Sequence, residues 1–212
     1  MGSVDIREIT SLTPVIPVVT ISELEHAVPL ARALLAGGLN VIEVTLGPPV
    51  AFAVIEAMRK AFPAAIIGVG TLTRARDFAA ADRVGAQFGV TPGLTPELAA
   101  AARGARFPLL PGVMTPTEVM VARNAGFNVL RSFPAREAGG IEFLQAMAPV
   151  FPDVLFCPAG GITSDVAGEY LRQPNVACIG GSWLTPAAML SAGDWVGIEA
   201  LAREAMRLKE TR

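Results

Sequence analysis

Two ionisable residues stand inside apolar stretches of this chain, and each implies chemistry. Glu43 lies within Val41-Ile-Glu-Val-Thr-Leu46, and Arg131 within Phe127-Asn-Val-Leu-Arg-Ser-Phe-Pro-Ala135. An ionised carboxylate in such a run is costly unless it is hydrogen-bonded or put to use. Glu43 therefore reads either as a proton shuttle whose pKa burial has raised, or as a structural carboxylate paired with an arginine. Arg131 ends a strand-like segment, a position from which a lysine could lose its proton and attack a carbonyl. A guanidinium cannot do this, because it stays protonated at physiological pH and has no lone pair to offer.

Two glycine-rich exits add an anion to the picture. Gly160-Gly161 and Gly180-Gly181-Ser182 each follow an apolar run, where glycine lets backbone N–H groups approach a phosphate and a following helix N-terminus adds a favourable dipole. Thr71 reads either as the cap of a helix beginning near Thr73 or as a ligand contact. Phe133-Pro134 reads either as rim packing or as part of a site. Cys157 and Cys178 lie in apolar contexts and are expected as small buried thiols rather than a disulfide or redox pair. His26, the only histidine, falls in a helical pattern with an incidental role, and no Cys/His/carboxylate group shows metal-ligand spacing. The only lysines are Lys60, at the end of a helical segment, and Lys209, in a polar tail, and neither is a credible amine for a Schiff base.

The elements that must position these residues are legible from hydropathy. Short apolar runs at residues 15–19, 41–46, 66–69, 87–90, 107–110, 128–132, 154–157 and 176–179 alternate with helix-period segments. Their continuous apolar character suits a parallel sheet covered on both faces. Ser22-Glu-Leu-Glu25 has the form of a capping box, as does Thr115 with Glu118. Thr95-Pro96, Thr115-Pro116 and Thr185-Pro186 each place a capping hydroxyl before a proline at the first helical position. Gly37-Gly38, Gly85 and Gly126 mark helix exits.

Eight β-then-α units predict an α/β fold, a single (β/α)8 TIM barrel over residues 1–212 with a short N-terminal helix. An open doubly wound sheet is the second choice, weakened because no Gly-x-Gly-x-x-Gly follows the first strand. With 52% apolar residues and a mean hydropathy of +0.49, the chain can bury a large core. The formal net charge is -2 and no basic run of five residues occurs, so neither nucleic acid nor an anionic membrane surface is expected as a partner. The first residues lack a signal pattern and no apolar run reaches about 18 residues, so a cytoplasmic protein is expected.

Several segments together resemble the 2-dehydro-3-deoxy-phosphogluconate (KDPG) aldolase family, which also includes enzymes acting on 4-hydroxy-2-oxoglutarate. They are Glu43-Val-Thr-Leu46, Gly68-Val-Gly-Thr-Leu72, Val90-Thr-Pro-Gly-Leu94, Leu110-Pro-Gly-Val113, Ser132-Phe-Pro-Ala135, Phe156-Cys-Pro-Ala-Gly-Gly-Ile162 and Cys178-Ile-Gly-Gly-Ser-Trp183. The resemblance spans nearly the whole chain. It implies a homotrimeric barrel that cleaves a phosphorylated 2-keto acid to pyruvate and glyceraldehyde 3-phosphate through a lysine Schiff base, with no metal or other cofactor. By that resemblance Glu43 is the proton shuttle, Thr71 and Phe133 touch the pyruvyl portion, and Gly160, Gly161, Gly180, Gly181 and Ser182 hold the phosphate.

Three positions depart from the family pattern. Arg131 stands at the Schiff-base lysine, Gly47 at an arginine that binds the substrate carboxylate, and Ala159 at a threonine before the seventh-strand glycines. The departures imply an aldolase impaired at its nucleophile. Two alternatives are a non-catalytic trimeric barrel that binds phosphorylated keto acids, with Arg131 holding the carboxylate, and a site where Arg131 stabilises an enolate while Glu43 moves the proton.

Overall fold

The structure, a computed structural model, describes residues 5–211; the expectations for the first four residues and the last fall outside that range. Helix α1 (Ile6–Leu12) opens the fold, capped by the Asp5 carboxylate, which accepts from the Arg7 N–H. Strands and helices then alternate: β1 (Val15–Val19), α2 (Ala27–Ala36), β2 (Val41–Thr45), α3 (Ala51–Ala61), β3 (Ile66–Gly70), α4 (Ala75–Arg83), β4 (Gly89–Val90), α5 (Pro96–Gly104) and β5 (Leu109–Leu110). The second half continues with β6 (Gly112–Val113), α6 (Pro116–Asn124), β7 (Val129–Ser132), α7 (Gly140–Met147), β8 (Leu155–Phe156), α8 (Ser164–Leu171), β9 (Ile179–Gly181), α9 (Ala187–Ala192) and α10 (Trp195–Arg207).

All the strand pairs are parallel. Six strands run in the order β5-β4-β3-β2-β1-β9 and three in the order β6-β7-β8, without the reversal of a doubly wound sheet. Bridges at Phe156↔Val176 and Ala159↔Gly180 link the ends of the two groups. The result is an α/β fold around a curled parallel sheet. The expected fifth strand, residues 107–110, is shortened to Leu109–Leu110, and an unexpected strand, β6, follows Pro111, which has no N–H to donate to a ladder but whose carbonyl accepts from the Arg131 N–H at 2.8 Å. The fourth strand is shorter than expected, and the last is shifted from residues 176–179 to Ile179–Gly181.

Side-chain alternation sorts the residues of each strand between two cores. On β2, Ile42 and Val44 face the helices while Val41, Glu43 and Thr45 face the concave side. Val129 and Arg131 share that concave side on β7, with Leu130 turned to the helices. The inner core joins Ile16, Val41, Phe88, Val90, Leu110 and Val129 to Ile6 and Ile9 of α1, which thus plugs one end of the curl. The other end is open.

Helix caps follow the sequence in part. Thr95 accepts from the Leu98 N–H, and Thr115 with Glu118 forms the full capping box. Ser22 does not cap: a 3₁₀ turn at Leu24–His26 intervenes and α2 begins at Ala27, so that Pro29 falls in the first turn, where its missing N–H is harmless. Leu24 is left exposed. Thr185 also fails as a cap because α9 starts one residue later, behind Pro186. His26 packs edge-on against Trp195, with ring centroids 5.4 Å apart.

These caps set a direct comparison. Thr115→Ala should lower the unfolding free energy by about 1 kcal/mol, whereas Ser22→Ala should stay within roughly 0.5 kcal/mol of the parent. Urea denaturation at constant m-value checks both.

Candidate functional site

A cavity of about 280 Å³ opens at the end of the curl opposite α1. Its floor holds the two ionisable residues singled out by the sequence. Arg131 from β7 and Glu43 from β2 are 2% and 4% exposed, and the Arg131 Nη2 donates to Glu43 Oε2. Their strands are not neighbours in either sheet, so the side chains meet across the concave face. Glu43 is therefore paired with an arginine, one of the two roles its sequence setting allows, and it lines a cavity as the other requires.

Two glycines make room for this pair. A Cβ on Gly70 would collide with the Glu43 carboxylate, and a Cβ on Gly180 with Arg131 Nη1. Arg131 Nη1 itself is buried and has no hydrogen-bond partner. Ala159 lies against the same spot, its Cβ 2.7 Å from where that of Gly180 would sit.

Electrostatics at the floor are dominated by dehydration. Burial raises the Glu43 carboxyl above its ordinary value, although the charge and hydrogen bond of Arg131 pull the other way. For Arg131, burial opposes the cation, but the neighbouring Cys157, Glu43 and Cys178 together hold its pKa above the ordinary value. The two cysteines are buried in adjacent segments with their sulfurs 3.1 Å apart, not joined as a disulfide. That approach has no local signal in the sequence, since 21 residues separate the pair.

Above the floor the walls come from strand exits. Thr45 bonds the Thr20 hydroxyl at 2.8 Å, and Thr91 accepts from the Gly112 N–H at 3.3 Å. Thr71 lines the cavity with a left-handed backbone, φ 61°. It does not cap α4, which begins after Arg74. Phe133 lies at the rim, 38% exposed. Gly160 and Gly161 take φ values of 97° and 74°, a region that favours glycine, and their loop is tied to the Phe-Pro-Ala turn by Ala135 N–H to Ala159 O at 2.7 Å and Arg136 N–H to Gly160 O at 3.1 Å. Gly180 and Ser182 also line the cavity. Gly181 does not: it faces Trp183 and Val15, as strand alternation after Gly180 requires.

The apolar walls, among them Val18, Val90 and Ile162, were not picked out as site residues. Val18 and Val90 could have been found by counting strand parity from Glu43 and Arg131. On the surface, Glu23, Glu25 and His26 bring potential metal-ligand atoms within 4.8 Å of one another, a grouping not expected from the sequence. They lie outside the cavity lining. Among the described residues, no helix is long and apolar enough to cross a membrane.

An apolar cavity between strand ends, with a buried carboxylate and a glycine loop on its wall, suits a small anionic ligand. The KDPG and KHG aldolase family model matches residues 6–201. The chain is 46% identical over 200 residues to the KHG/KDPG aldolase of Escherichia coli (strain K12), covering 94% of each protein. It is 43% identical over 200 residues to the 2-dehydro-3-deoxy-phosphogluconate aldolase of Pseudoalteromonas atlantica, covering 94% of this chain and 93% of that protein. Among solved structures, the KDPG aldolase of Legionella pneumophila with pyruvate captured as a covalent carbinolamine superimposes with a TM-score of 0.93 at 44% identity, over 94% of this chain and 97% of the other. The Zymomonas mobilis enzyme with 3-phosphoglycerate does so with a TM-score of 0.90 at 43% identity, over 95% and 94%. The chain belongs to the KDPG and KHG aldolase family.

Two outcomes follow for the floor pair. Arg131→Met strands a buried carboxylate and should cost about 3–5 kcal/mol, most of it recovered in Glu43→Leu/Arg131→Met; a thermal denaturation cycle measures this. The folded chain also holds the Glu43 proton more tightly than the unfolded chain. Its stability relative to Glu43→Gln is therefore greatest below pH 4.5, the ordinary glutamate value, and should fall as pH rises through the raised folded value. Chemical denaturation of both proteins from acid to neutral pH reads that slope.

Proposed function

We propose that this member of the aldolase family binds a phosphorylated 2-oxo acid in the cavity but cannot cleave it by Schiff-base chemistry. One observation carries the reading: the inward residue on β7 is Arg131, with its guanidinium bonded to Glu43. A guanidinium has no lone pair for attack on a ketone. Neither lysine is placed to substitute. Lys60 is exposed near the end of α3 and pairs with Glu56 at 2.7 Å, and Lys209 lies in the C-terminal turn at Leu208–Thr211.

In this reading Gly160, Gly161, Gly180 and Ser182, which line the cavity, receive the phosphate, where glycine lets backbone groups approach an anion. Thr71 and Phe133 flank the oxo-acid end. Glu43 is the proton carrier, its carboxyl poised by burial for that role. The same reading takes the chain as one (β/α)8 barrel, a single domain over residues 1–212; the Ala159↔Gly180 bridge between the two groups of strands supports it. Assembly as a homotrimer and a cytoplasmic setting go with the family resemblance. Exposed Met120 and Val121 on α6 supply apolar surface for such assembly.

Borohydride reduction in the presence of pyruvate tests the chemistry. Mass spectrometry should show no adduct on the parent chain and a single reduced adduct on Arg131→Lys, located on the β7 peptide. An adduct on the parent, or none on the lysine variant when it is folded, overturns the reading.

A further inference from the structure

We propose that Arg131 is a carboxylate receptor at the cavity floor, so that the site accepts short phosphorylated carboxylic acids whether their second carbon is a ketone or a carbinol. The inference rests on the phosphate-binding reading above and names the ligand class of the same site.

Its first support is an unmade bond. Arg131 is 2% exposed, Nη2 is engaged by Glu43, and Nη1 has no hydrogen-bond partner. A buried donor left unpaired carries the full cost of its lost hydration, and cationic donors cost more than neutral ones, which is why such groups are normally satisfied. This one lies against Gly180 and beside Ala159, both lining the cavity, and the missing Cβ of Gly180 leaves the volume that it occupies. An acceptor brought by a ligand would complete it.

The second support is charge. Among the described residues lining the cavity, Arg131 is the only cation and Glu43 the only anion. The floor pair is neutral as a whole, so a dianionic phosphate beside Glu43 meets repulsion that a flat, singly charged carboxylate meets less. Carboxylate is also the group whose geometry a guanidinium matches best.

Spacing and hydroxyls define the rest of the ligand. Ser182 lies two residues beyond Gly180, about 7 Å at roughly 3.3 Å per strand residue. A short chain therefore suffices between a carboxylate on Arg131 and a phosphate at the glycine loops. Thr71 also lines the cavity, as does Thr45, whose hydroxyl is engaged by Thr20 and Val19. A hydroxyl rotates to donate to a ketone or to accept from a carbinol, so neither oxidation state is excluded. Without an amine on β7, the ketone has no covalent partner to favour it.

Isothermal titration calorimetry separates these points with three ligands: 2-dehydro-3-deoxy-6-phosphogluconate, its C2-reduced counterpart 3-deoxy-6-phosphogluconate, and the carboxylate-free glycerol 3-phosphate. On the parent chain the two acids should bind within about threefold of each other, because the flanking hydroxyls serve either group. Both should bind about tenfold or more tighter than glycerol 3-phosphate, the worth of a charged hydrogen bond. In Glu43→Gln/Arg131→Gln, which strands no charge, the acids should fall to the level of glycerol 3-phosphate, whose own affinity should not change. Acids no tighter than glycerol 3-phosphate on the parent, a strong preference for the keto acid, or full acid affinity in the folded double variant would each overturn the proposal while leaving phosphate binding intact. Failure of all three ligands to bind the parent would instead overturn the phosphate reading, and this proposal with it.

Discussion

Burying Glu43 and Arg131 side by side strips each ion of its hydration, and the pair offsets that cost only if the strands hold the two groups in contact. The fold does so with little freedom. Glu43 and Arg131 project from β2 and β7 across the concave face, and Gly70 and Gly180 leave the volume that the two side chains occupy. The apolar layer beneath them, closed by Ile6 and Ile9, keeps water from the underside. Removing one partner would leave a bare charge in that layer, so each residue constrains the other whatever the cavity above them binds.

Strand parity transmits this constraint outward. A one-residue slip of β2 would turn Glu43 toward the helices and bring Ile42 or Val44 to the cavity. Ile42 and Val44, fully buried in the helix-facing core, prevent it. The same logic fixes β7 through Leu130. Pro111 contributes from the side: it interrupts its own ladder, and the carbonyl freed from a strict strand pattern accepts from the Arg131 backbone. Gly112 follows because a Cβ there would collide with the Pro92 carbonyl. The break between β5 and β6 is thus part of how the floor is held.

Much of this was legible in the sequence. Alternating apolar runs and capping threonines gave the order of elements, and the polar residues leaving the strands pointed to one end of the sheet. Local signals failed where a competing backbone feature lay nearby. Ser22 has the spacing of a cap, but Pro29 fits only the first turn of the helix, which moves the start to Ala27. Thr71 has a capping hydroxyl, yet its left-handed backbone puts it on the cavity wall and not at α4. Glu43 and Arg131 each stood out as a charge in an apolar run, but 88 residues separate them, and only the curl of the sheet makes them partners.

That partnership changes how the departures expected from the resemblance fit together. Taken along the chain, Arg131 and Ala159 read as two separate expectations, a missing nucleophile and a missing hydroxyl. In space they are one feature. The guanidinium reaches into volume left open by Gly180, and Ala159 faces that same volume with only a methyl group. A branched polar side chain at position 159 would compete for the space and for the hydrogen-bonding surface of Nη1. The small residues around the guanidinium, its contact with Glu43 and the cysteines packed against it are the surroundings of an arginine that the floor accommodates. The floor thus holds a fitted cation with one donor still open.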